Sequence, residues 1–141
     1  VDTWWSKISP DYSDIRNKAL RTLQHEAELE EIVRLVGPEA LPEDDKMVLL
    51  AARMIREDFL MQSAYHPVDT YTDPARAHKM ISAIIKFYDL AKEATESGML
   101  VNEINASKML PRISRMKDIP NEEFDSYMKQ LWSDMDKNPF V

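Results

Sequence analysis

The chain has 141 residues and 16.4 kDa, the size of a single domain able to hold a core without covalent staples. It contains no cysteine, which excludes a disulfide framework, a thiolate zinc site and a cysteine nucleophile. Its 25 acidic residues outweigh 18 basic ones, and a net charge of -7 argues against nucleic acid or an anionic membrane as the main partner. Only two glycines are present, Gly37 and Gly98, so no GxxxxGK[ST] or GxGxxG phosphate loop exists. No apolar run approaches the roughly 18–20 residues that a membrane span needs.

Eight prolines and the two glycines punctuate a helical pattern. Val1 to Trp5 lacks an initiator Met and reads as the start of a piece cut from a longer chain, with residues 1–9 as a lead-in. Its indoles, Trp4 and Trp5, are expected to be exposed and to favour self-association. Ser9-Pro10 reads as a cap plus first-turn proline, opening a helix that runs to about Val36. Ile15, Ala19, Leu20, Leu23, Ala27, Ile32, Val33, Leu35 and Val36 supply its apolar stripe. Gly37 is predicted to take the left-handed αL conformation past the helix end, and Pro38 stops continuation.

A second helix opens at Pro42 with Glu43, Asp44 and Asp45 in its first turn, where the helix dipole favours negative charge. Its apolar set, Met47 to Phe59, carries it to about Gln62. Residues 63–72 lose periodicity and read as a loop. Asp73-Pro74 opens a third helix, with Ala77, Met80, Ile81, Ile84, Ile85, Tyr88 and Ala91 buried. A short helix spans about Val101 to Met109, and Pro111 interrupts the chain. A last helix starts at Asn121 and buries Phe124, Tyr127, Met128, Leu131, Trp132 and Met135. Residues 136–141 are expected to fray. The pattern predicts one all-α domain over 1–141, a bundle of about five helices.

No catalytic constellation emerges from the residues. His25, His66 and His78 are far apart, none in an ExxH or HExxH spacing, so a metal site is not expected. All three read more readily as structural residues. Two segments rise above background. The helix-to-helix turn from Glu39 to Lys46 carries Glu39, Glu43, Asp44 and Asp45. Helix-dipole complementarity explains the last three without requiring Glu39 or Leu41. The segment Phe59 to Tyr71 sets Tyr65 and Tyr71 around Pro67, either as a loop tacked to the core or as an aromatic wall for a flat ligand.

The runs Leu23–Pro38, Ala52–Leu60 and Pro67-Val68-Asp69-Thr70-Tyr71 resemble the C-terminal helical domain of the catalytic A subunit of archaeal A-type and vacuolar-type rotary ATPases. The likeness extends from Trp4-Trp5 to about Pro120. It implies a parent protein that binds ATP or ADP with Mg in an upstream P-loop domain and alternates with B subunits in a hexameric ring. That parent would couple ATP synthesis or hydrolysis to ion flow, from a peripheral position on the cytoplasmic face of the membrane. The fragment alone would bind no cofactor and catalyse nothing. Glu39, Leu41, Glu43, Asp44 and Asp45 are similar to the acidic helix–turn–helix by which the related F-type β subunit touches the central-stalk rotor. Pro42 replaces a serine common there. Tyr65 falls where the family sets an aromatic, usually Phe, against adenine, with Tyr71 and Phe59 as its companions. The competing reading is a freestanding acidic interaction module with no nucleotide chemistry.

Overall fold

The computed structural model describes residues 3–60 and 73–140. Its α-helices, in chain order, are α1 (Thr3–Ile8), α2 (Tyr12–Val36), α3 (Glu43–Met54), α4 (Pro74–Glu96), α5 (Val101–Asn105), α6 (Met109–Arg115) and α7 (Asn121–Lys137). Short 3-10 turns cover Pro38–Ala40 and Met116–Asp118, and a π-helical segment, Ile55–Leu60, extends α3. Among the described residues there is no strand, so the all-α bundle stands.

The bundle is built around α4. A helix that buries residues on every side belongs at the centre. In α4, Met80, Ile81, Ala83, Ile84, Ile85, Phe87 and Ala91 are all buried. It packs against α2, α3 and α7. Asp73 caps it by accepting from the Ala75 amide at 3.0 Å, and Pro74 occupies the first helical position. In α7, Phe124, Met128, Leu131 and Met135 recur at four-, three- and four-residue steps and face this core. Tyr127 and Trp132 are half-buried at its edge.

Several expectations change in the folded chain. The cap of α2 is Asp11, whose carboxylate accepts from the Ser13 amide at 2.9 Å. Ser9-Pro10 instead belongs to the non-helical link after α1, because proline disfavours helical geometry in the residue before it. Trp5 is buried, not exposed. Its ring sits 5.5 Å from Trp132 and 5.0 Å from His78, edge to face, because α1 folds back over α4 and α7. Trp4 is half-buried beside it. Pro111 does not break the chain. It is the third residue of α6, in the first turn, where its missing N–H has no intrahelical partner to lose. In the tail, the Phe140 ring lies 5.8 Å from Phe87.

Candidate functional site

The two long helices α2 and α3 meet at one end of the bundle in the turn Gly37–Pro42. Gly37 has φ 87° and ψ 156°, a backbone region open essentially to glycine alone and distinct from the αL geometry expected of it. Its amide still donates to the Val33 carbonyl at 2.8 Å and closes α2. Pro38–Ala40 forms a single 3-10 turn, and the Leu41 amide donates to the Pro38 carbonyl at 3.2 Å.

The predicted contact residues divide sharply. Leu41 is 6% exposed and belongs to the core, so it anchors the turn and offers nothing to a partner. Glu43 is also engaged. Its carboxylate accepts from the Val101 amide at 2.9 Å and lies 3.2 Å from the Lys46 ammonium. That backbone bond first, and Lys46 second, hold the Glu43 pKa below the usual glutamate range. Asp45 approaches the His25 imidazole at 3.9 Å. Asp44 is exposed and accepts from the Asp45 amide at 3.0 Å. Pro42 has no side-chain oxygen to cap α3, so this local bond satisfies one first-turn donor in its place. Glu39 is exposed.

Of the predicted adenine-wall residues, Phe59 is half-buried and packs against the core from the π-helical segment. Tyr65 and Tyr71 lie outside the described residues, as does His66. The π segment is held from two sides. Arg56 forks onto the buried Glu26 of α2, and Asp58 meets Lys117 at 3.3 Å. Nothing among the described residues fits a triphosphate or Mg. Gly37 and Gly98 serve helix ends, and no three carboxylates or imidazoles converge.

Residues 2–104 match the family described as the C-terminal domain of V and A type ATP synthase. The chain belongs to that family. It is similar to the catalytic-ring protein named for the letter A in the A-type ATP synthase of Staphylothermus marinus, at 52% identity over 136 residues, covering 96% of this chain and 23% of the relative. The corresponding protein of Methanopyrus kandleri is 45% identical over 138 residues, covering 97% and 23%. That of Thermococcus onnurineus is 44% identical over 124 residues, covering 87% and 21%. The chain thus spans under a quarter of the length of these relatives.

In this C-terminal domain of the V and A type, sequence reasoning missed three features. Glu43 works as an internal tie, because an acid near a helix start reads equally well as a solvated dipole partner. The π segment has no sequence signature. The third is the end of α2, where Ile32, Leu35 and Val36 are 45%, 84% and 61% exposed rather than buried. Leu35 lies six residues past the buried Leu29, off the stripe, and that offset was readable. Val36 lies seven past Leu29, on the stripe, and is bare because the helix outruns the core. No described helix is long and apolar enough to cross a membrane.

Proposed function

We propose that this chain is the lever arm of an A/V-type rotary ATP synthase. In the whole catalytic protein, nucleotide binding closes the upstream domain, the bundle swings with it, and the turn at 37–46 pushes the central stalk. ATP synthesis or hydrolysis is thereby coupled to rotation and ion translocation, within a ring shared with B subunits. The triphosphate and Mg are held elsewhere in that protein. Adenine stacks on Tyr65, with Tyr71 nearby and Phe59 bracing the segment from the core. The complex works from the cytoplasmic face of the membrane, and this domain is a peripheral part of it.

The observation that carries this reading is the bracing of the turn. Leu41 roots it in the core, and Glu43 ties the start of α3 to the first amide of α5. Close-packed helices resist continuous deformation, so a displacement applied to the bundle reaches the tip undiminished. A tip of this kind transmits force by shape. Exposed ion pairs are worth about 0–1 kcal/mol each, too little to carry torque singly.

The test is stall torque in the assembled complex with Glu39, Asp44 and Asp45 replaced together by Ala, Glu43 being retained for its structural bond. Most of the torque is expected to survive. Loss of most torque at an unchanged melting temperature would make charge, not stiffness, the working element.

A further inference from the structure

The apolar residues at the end of α2 form a surface that the bundle does not use. Ile32, Leu35 and Val36 stand three and four residues apart and share one helix face. Their exposures of 45%, 84% and 61% make them the largest bare apolar cluster within one turn of any described helix. Single exposed apolar side chains need no explanation, but a contiguous group rimmed by charge marks an interaction site. Pro38 and Ala40 are exposed just beyond and extend it into the turn.

The rim is one-signed. Residues 28–45 carry seven carboxylates and a single arginine, Arg34, which lies 3.3 Å from Glu31. His25 stands seven residues before Ile32, on the same face, and its contact with Asp45 sets the first turn of α3 along that flank. The acids therefore border the apolar group from the turn and from both helices.

We propose that Ile32, Leu35 and Val36, rather than the acids of the turn, are the gripping surface of this domain. The partner they fit is an α-helix with an apolar seam flanked by lysine or arginine. Apolar residues at three-to-four spacing on one helix seat against the like spacing of another. Rim charges steer the encounter and select the partner, while the buried apolar centre holds it. This rests on the lever reading above and names the chemistry of its contact.

The test uses the full-length protein in the assembled complex. A photoreactive benzoylphenylalanine replaces Leu35 in one preparation and Glu39 in another, and the crosslinked peptides are identified. A third preparation carries Ile32→Ser, Leu35→Ser and Val36→Ser, positions exposed enough to leave the fold intact, with thermal melting as control. The expected result is a crosslink from position 35 to apolar positions of a central-stalk helix bordered by Lys or Arg. The triple variant is expected to lose at least half of the stall torque at an unchanged melt. A crosslink from 39 but not 35 to the stalk, or full torque in the triple variant, overturns this proposal and leaves the lever reading standing. No stalk crosslink from either position overturns both. A crosslink from 35 to another ring member or to a second copy of this chain also overturns the proposal.

Discussion

Glu26 is 8% exposed and sits in the middle of the buried face of α2, between Thr22 and Leu29. Burying a carboxylate is costly unless it is paired and hydrogen-bonded. Arg56 answers that cost with two bonds, Nε to Oε1 at 3.2 Å and a terminal guanidinium nitrogen to Oε2 at 2.5 Å. Arg56→Ala removes the fork and strands the acid against the core. The expected loss is about 1–3 kcal/mol, read by urea denaturation. Arg56→Lys should recover only part of it, because an ammonium cannot fork. Stability equal to the parent would show that Glu26 finds water instead. Asp58 behaves in the opposite sense. Burial raises its pKa, against the opposing pull of Lys117. A raised carboxylate favours the native state most below the ordinary value of 3.8, and that favour fades as pH rises through the native pKa. Neither residue was legible as buried, because helical periodicity counts a charge as outward-facing and cannot anticipate a partner thirty or more positions away.

At the scale of elements, the punctuation was readable wherever a local bond does the work. Asp73-Pro74 opens α4 as its residue types dictate, and the three acids after Pro42 open α3. The π segment was not readable, since its geometry is stabilised by Glu26 on α2 and by Lys117 beyond α6, both remote in sequence. The turn between α2 and α3 lies between these cases. Its acids were visible, but the pairing of Glu43 with Val101 joins positions 58 residues apart. That bond has a pH signature. A lowered carboxylate pKa contributes stability that is present above the ordinary glutamate value of 4.5 and is lost as pH falls through the native pKa. Glu43→Gln is therefore expected to melt below the parent at pH 7, with the gap closing as the solution is taken below pH 4.5 and down past the native pKa. A gap of undiminished size near pH 2 would mean that the charge of Glu43 is not what ties α3 to α5.

At the scale of the whole molecule, the fold class followed from sparse glycine, frequent proline and the lack of two-residue alternation, all of which are global counts. The site did not follow in the same way, because a lever has no chemistry of its own to betray it. What the chain lacks is as consequential as what it holds. Phosphates need several backbone amides in a glycine-permitted loop, and both glycines here are committed to helix ends. The remaining handle on ATP is the stacking of its base on Tyr65. One aromatic face contributes roughly 1–3 kcal/mol, whereas a dissociation constant of 1 mM already requires about 4.1 kcal/mol. The isolated chain is thus expected to bind ATP more weakly than about 1 mM in calorimetry, with and without Mg, and to hydrolyse none. Tyr65→Ala should leave that result unchanged, while raising the ATP KM of the complete enzyme. Micromolar binding by the isolated chain would place the phosphates on these residues and would end the division of labour in which one domain holds the nucleotide and this one carries its motion outward.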